Sequence, residues 1–390
     1  MPAPASSLKI YLDHAATTPL DPRVASLMQC YFREQFANPN SSYRLGQESR
    51  RAVEDARRKV SKILNCAPGE LVFTGGGSEA DNFALKGVAD ANQDRGRHII
   101  TSTVEHHAVL RTCQYLERRG FTVTYLPVDS TGLVDPQDVK KALRPDTILV
   151  SIMHANNEIG TVQAIEEIGA LLAETEVYFH TDAVQTVGHL PVDVQKLNLD
   201  LLSFSAHKFY GPKGVGGLYI RRGTVLAPLI HGGGQEHGMR SGTENVAGIA
   251  GMGLALEIAS ELLEEEEARL SNWRDCLIKL VLERVQGAQL TGHPTKRLPG
   301  TVSFCFEKVD GESIILKLDL EGISASTGAA CHAGEINPSH VLLALGLERT
   351  LANGSLRVTL GRTNSAADLD RVLDVLPTAI QNLRAMSAAH

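Results

Sequence analysis

The chain has 390 residues, with 45 acidic against 38 basic side chains, a net charge of -7 and 43% hydrophobic residues. That length suggests two domains or one large α/β unit, and the apolar share is ample for a packed core, which excludes disorder over most of the chain. The acidic balance argues against a nucleic-acid sleeve or a basic membrane-surface protein, and no run approaches the ~18 apolar residues of a membrane span. Residues 1–10 carry one lysine and no apolar run, so no signal peptide is expected and a reducing, cytoplasmic setting is. Six cysteines (Cys30, Cys66, Cys113, Cys276, Cys305, Cys331) show neither CxxC nor zinc spacing. Neither a disulfide framework nor a metal site is expected; most should be buried small hydrophobes, and one could be a nucleophile.

Residues 52–64 carry a helical period. The run LVFT at 71–74 reads as a strand and leads through Gly75, Gly76 and Gly77 into a helix from Ser78. Further strands are expected at 98–102, 122–126, 147–153, 177–181, 201–205 and 215–220, with helices at 108–118, 136–143 and 165–174 between them. The runs near Ile148 and Leu201 are apolar at almost every position, as in strands buried on both faces. After Ala250 comes one long amphipathic stretch of well over thirty residues, whose four consecutive acids, Glu264 to Glu267, suit a solvated face. Strands at 300–306 and 355–360 and a closing helix at 368–386 follow. The pattern predicts an α/β fold: a mostly parallel seven-stranded sheet flanked by helices in a large domain of residues 16–260. A smaller α+β domain takes residues 1–15 and 261–390.

Three constellations carry chemistry. The first is TGGGSEADN, residues 74–82. Glycines after a strand, then Ser78 and Glu79 at a helix start, make an anion seat, because unpaired N–H groups and the helix dipole favour phosphate there. The pattern fits neither a Walker loop nor GxGxxG, and it suits equally a tight turn with an N-cap serine. The second is HTDAVQ, residues 180–185. Asp182 at the carboxyl end of a buried parallel strand points into the ligand crevice and needs a cationic partner such as a protonated pyridine nitrogen; it also suits an N-cap. The third is SFSAHKFYGPKGVGG, residues 203–217. Lys208 at a strand end in apolar surroundings can form a Schiff base, or it can be a surface lysine. Phosphate seat, pyridinium partner and lysine occur in the chain order of a pyridoxal phosphate site, and His106 supplies a ring that could stack on the cofactor.

YLDHAATTP, FTGGGSEADN, EHHAV, HANNEIGTVQ, HTDAVQ, SFSAHKFYGPKG, RSGTEN, STGAAC and LRVTLGR together resemble the cysteine desulfurases, fold-type I enzymes dependent on pyridoxal 5'-phosphate. These make L-alanine and a protein-bound persulfide from L-cysteine. The resemblance runs from about residue 10 to 385. It implies that Lys208 holds the cofactor aldehyde, Asp182 the pyridine nitrogen and Gln185 the phenolic oxygen, with His106 stacked on the ring and assisting proton transfer. Gly77, Ser78, Ser205 and His207 would hold the phosphate, Thr243 would reach the phosphate of the other subunit of a homodimer, and Asn157 and Arg357 would bind the substrate carboxylate. Cys331 would take the sulfur and pass it to acceptor proteins, for iron–sulfur assembly or thiolation. The segment GAACH around Cys331-His332 is also similar to selenocysteine lyases, so selenocysteine is a second candidate substrate. His332 either biases the thiol or faces solvent. A lyase that uses no protein persulfide is the other alternative.

Overall fold

A computed structural model describes residues 9–327 and 338–388. The described chain opens with strand β1 (Ile10–Tyr11) and helices α1 (Pro22–Arg33) and α2 (Arg44–Leu64). There follow β2 (Leu71–Thr74), α3 (Gly77–Asn92), β3 (His98–Ser102), α4 (His107–Glu117), β4 (Thr122–Leu126), α5 (Pro136–Ala142), β5 (Thr147–Ser151) and α6 (Ile165–Leu172). Then come β6 (Tyr178–Asp182), β7 (Leu201–Ser205), β8 (Gly216–Ile220), α7 (Val246–Glu261) and α8 (Leu263–Arg284). The rest comprises β9 (Ala288–Leu290), β10 (Thr301–Phe306), α9 (Gly311–Leu320), β11 (Ile323–Ser324), α10 (His340–Ala344), α11 (Arg349–Ala352), β12 (Ser355–Thr359) and α12 (Ala366–Ala388).

The seven expected strands form one sheet in the order β2-β8-β7-β6-β5-β3-β4. Strands β3 to β7 run parallel, while β8 runs antiparallel to both β2 and β7. Helices α3 and α4 pack one face; α1, α2, α5, α6 and α7 pack the other. Burial on both sides explains why β5 and β7 are apolar at most positions. The strand order reverses beside β3, and it is outside the carboxyl ends there that an open α/β sheet leaves its crevice. A second core lies around α8, α9, α12 and the small sheet β12-β10-β9, and β1 pairs with β11 beside it.

Three expectations need correction. The long stretch after Ala250 is two helices, bent by 67° at a break around Leu262. Helix α7 is buried on nearly every side in the first core, whereas α8 turns its apolar stripe to the second. The four acids are also not all solvated: Glu266 is buried and its Oε1 accepts from Arg362 Nε at 2.5 Å, the ion pair that burial of a carboxylate demands. Of the cysteines, Cys113 and Cys305 are buried, but Cys30 and Cys276 are exposed. Among the described residues no single helix is long and apolar enough to cross a membrane.

One buried ion pair fastens the loop before α7 to the sheet. Arg57 of α2 meets Glu236 at 2.7 and 3.0 Å, donates to the Leu71 carbonyl at 2.7 Å, and lies 4.5 Å from the centroid of the Phe73 ring. Glu236 Oε2 also accepts the Phe73 N–H at 2.8 Å. Removing one partner strands a buried charge, so Arg57→Ala should lower unfolding stability by ~3–5 kcal/mol in a denaturant titration. A loss under ~1 kcal/mol would show that water relieves Glu236.

Candidate active site

Most of the candidate side chains stand at the carboxyl end of a strand of the large sheet or in the segment after it; Arg357, within β12, and Thr243, before α7, do not. Strand β2 ends at Thr74, and the turn into α3 passes through Gly76 at φ 149°, a conformation that side chains other than glycine's rarely allow. A Cβ on Gly77 would lie 2.5 Å from Val184 Cγ2, so the helix start sits against the segment that follows Asp182 at a distance only glycine permits. No side chain caps α3, and Ser78 is its second residue rather than its cap. The first-turn N–H groups and the Ser78 hydroxyl are therefore left for an anion. Glu79 would repel that anion, but Arg240 binds it at 2.8 and 3.2 Å, and its Oε2 accepts the Gly75 N–H at 2.9 Å.

Asp182 ends β6, buried, with Oδ1 accepting the Val184 N–H at 2.9 Å. Burial pushes its carboxyl up, while His106 and Lys208 oppose the shift. His106 follows β3 and caps α4, its Nδ1 accepting the Ala108 N–H at 3.1 Å. That bond places the hydrogen of the neutral ring on Nε2. Oxygen and nitrogen atoms of Asp81, His106 and Asp182 lie within 4.8 Å of one another.

Lys208 follows β7, and its Nζ donates to the carbonyls of Ala15 and Ala16 at 2.5 and 2.8 Å. Burial and the Arg357 charge push it down to about 8. The neutral, nucleophilic amine thus grows as pH rises through that value. Capture of pyridoxal phosphate by cofactor-free protein should accelerate about tenfold from pH 7 to pH 9 and then level off. A rate flat across that range would contradict this.

Gln185 Nε2 donates to the same Ala15 carbonyl at 3.0 Å. His207 Nδ1 lies 3.1 Å from Thr17 Oγ1, and burial beside Lys208 and Lys213 lowers the imidazole to about 4, so it is neutral. On the far wall Arg357 of β12 is buried. Its Nη1 donates to the Asn157 carbonyl at 2.9 Å and Nη2 to Asp13 Oδ1 at 2.6 Å, while Nε has no protein partner.

These groups face one cleft of about 670 Å³. It gathers Gly77, Ser78, His106, Asn157, Asp182, Gln185, Ser205, His207, Lys208 and Arg357. Thr243 is not among them: it is exposed and borders a separate small hollow with Gly75 and Gly214. Cys331 and His332 lie outside the described residues. The sequence reading missed Asp13, the Ala15 and Ala16 carbonyls, Arg240 and Asp81. The first and last of these stand inside the motifs YLDHAATTP and TGGGSEADN, but backbone acceptors carry no side-chain signal. The contents fit pyridoxal phosphate: an uncapped glycine cradle for the phosphate, a buried carboxylate for a protonated ring nitrogen, and a lysine amine in the same cleft.

Known proteins resemble this chain over nearly its whole length. The model of the class-V aminotransferase family matches residues 10–372. A cysteine desulfurase IscS of Dictyoglomus turgidum is 54% identical over 97% of this chain and 96% of its own. That of Methanosarcina thermophila is 52% identical over 97% and 93%. Among solved structures, a NifS-like protein superposes with a TM-score of 0.91 at 42% identity, covering 96% of this chain and 100% of the other. SspA in complex with cysteine superposes with a TM-score of 0.81 at 39% identity, covering 90% and 99%.

Proposed function

We propose that this chain, which belongs to the class-V aminotransferase family and within it to the cysteine desulfurases, converts L-cysteine to L-alanine and takes the sulfur as a persulfide on Cys331. The observation that carries the reading is the meeting of Lys208, Asp182 and the Gly77–Ser78 turn in one cleft. Pyridoxal phosphate, when bound, supplies an electron sink for the pair left on the substrate Cα after its proton is removed.

The chain's own residues do the rest. Gly77, Ser78, Ser205 and His207 would hold the phosphate, Asp182 the ring nitrogen and Gln185 the phenolic oxygen, with the His106 ring against the cofactor face. Lys208 would hold the cofactor and, once released by the incoming amine, remove the Cα proton with its lowered, readily neutral Nζ. Arg357 and Asn157 would bind the substrate carboxylate. The Cys331 thiolate would then attack the substrate sulfur: the Cβ–S bond breaks, an S–S bond forms, Cβ takes up a proton, and Cα regains the one passed to Lys208, so that the carbon skeleton leaves as alanine. A thiol of ordinary pKa near 8.5 is mostly protonated at neutral pH, and His106 would take that proton. For this the ring must first release its bond to Ala108, so that Nδ1 is free to accept.

We further propose two domains, residues 16–260 and residues 1–15 with 261–390, and a homodimer in which the exposed Thr243 serves the partner's phosphate. Acceptor proteins for iron–sulfur assembly or thiolation would receive the sulfur. Arg357 provides the test of the substrate's orientation. Arg357→Ala should raise KM for cysteine at least about tenfold, since a charge-assisted contact is worth ~1.5–3 kcal/mol, with a smaller fall in kcat. An unchanged KM would remove Arg357 from the carboxylate site.

A further inference from the structure

Behind Asp182 lies a buried polar network that the proposed reaction leaves unused. Asp81, from the first turns of α3, is 1% exposed, and its Oδ1 has no hydrogen-bond partner among the described residues. Its neighbours are His180 and Ser203, on adjacent strands β6 and β7. His180 shares the face of Asp182, two residues before it on the same strand. Its Nε2 lies 2.9 Å from Ser203 Oγ and 3.7 Å from Asp81 Oδ1, and its Nδ1 lies 2.8 Å from Ser151 Oγ. A hydroxyl stands at each ring nitrogen, so one nitrogen accepts and the other donates. Ser203 is the polar neighbour that favours the charged form of Asp81, and no cation faces it, because burial lowers His180 to about 3 and keeps it neutral.

A third acid adjoins the pair. Glu105 is fully buried, with Oε1 accepting from Ser102 Oγ at 2.7 Å and the Met153 N–H at 2.9 Å, and Oε2 unpartnered. Burial pushes it up to about 8 and Asp81 well above the carboxylate range, and each feels the charge of Asp182. The groups that favour its charged form, His106 and the Lys208 amine, act on Asp182. A like charge about 5 Å away would suppress ionisation of its neighbour by about two pH units, so the cluster cannot carry three charges. Asp182, with the Val184 N–H and the Lys208 amine beside it, is the member that ionises.

We propose that Asp81 is a positioning residue of the cofactor pocket: a carboxylic acid that keeps its proton and leaves Asp182 as the single negative charge facing the ring nitrogen. This rests on the reading of the cleft as a pyridoxal phosphate site. The unpartnered Oδ1 is where the proton resides. The neutral acid gives Asp182 a polar, uncharged neighbour, where an apolar side chain would desolvate it and a second carboxylate would repel it.

NMR of protein labelled at the aspartate carboxyl carbons tests this directly, with and without pyridoxal phosphate. One carboxyl should show the protonated shift at neutral pH and vanish in Asp81→Asn. That variant, a neutral isostere, should bind pyridoxal phosphate within about threefold of the wild type and leave the pH midpoint of the cofactor absorbance unmoved. Asp81→Leu should weaken cofactor binding at least about tenfold by desolvating Asp182. No protonated aspartate in wild type, or a midpoint displaced by about one unit in Asp81→Asn, would overturn the proposal by showing an ionised Asp81. A leucine variant as silent as the asparagine one would show that the acid positions nothing. A wild-type protein that takes up no pyridoxal phosphate overturns the cofactor reading, and the role for Asp81 with it, even where the protonated resonance is present.

Discussion

Lys208→Ala should abolish turnover of cysteine, with kcat falling at least about 10^4-fold, and should remove the visible absorbance of the loaded protein. The size follows from one atom having two tasks. Nζ would hold the cofactor and then serve as the base at Cα, so alanine removes both the attachment and the proton acceptor. The fold should survive, because among the described residues Nζ donates only to the Ala15 and Ala16 carbonyls at the wall of an open cleft, where water can replace it. A thermal melt of the variant close to that of the wild type, beside lost turnover, separates chemistry from folding. Residual activity within tenfold of wild type would show that another group holds the cofactor. Lys213, which also lines the cleft, is the amine nearest in sequence to inspect in that case.

The second large effect is at Cys331. Cys331→Ala should leave the cofactor absorbance and the binding of cysteine intact while lowering alanine formation about 10^3-fold, since no nucleophile remains for the substrate sulfur. This split is what separates a desulfurase from a lyase on the same scaffold. A lyase expels the sulfur without a protein thiol, and alanine or its deaminated product would continue to form in the variant. Selenocysteine sharpens the comparison. Turnover on selenocysteine that far exceeds that on cysteine, and survives loss of the thiol, would make selenide release the main activity.

The sheet was legible because its strands, β4 at the edge excepted, are buried on both faces, and short apolar runs between helical patterns admit few other readings. All seven strands fall within two residues of their expected ends. The antiparallel course of β8 left no trace in the pattern, since period and apolarity are the same for either direction. The break at Leu262 was hidden for a related reason: α7 and α8 each carry helix-forming residues up to the join, and the bend comes from two cores claiming the two halves. Lys208, Asp182 and the glycine turn were readable as chemistry because each sits at a strand end with a residue type that is costly to bury. Arg357 and Asn157 came only from resemblance, being distant in sequence from the rest. The Glu79–Arg240 and Arg57–Glu236 pairs join segments more than 150 residues apart, and nothing local announces either partner.

Ser78 illustrates how local reading and tertiary context divide the work. A serine after glycines at a helix start suits a cap, and the chain makes Gly76 the cap instead, which leaves the hydroxyl and the first-turn amides for a ligand. Asp81, one turn further on, was read as part of the same motif and given no task, because its partners His180 and Ser203 are supplied by strands far along the chain.

The most direct test is a single turnover of the loaded protein with a limiting amount of cysteine and no added reductant, followed by intact-mass and peptide analysis. The account predicts one alanine for each cysteine consumed and one extra sulfur atom located on Cys331. Alanine, pyruvate or sulfide formed in full yield with no sulfur retained on that residue would contradict it.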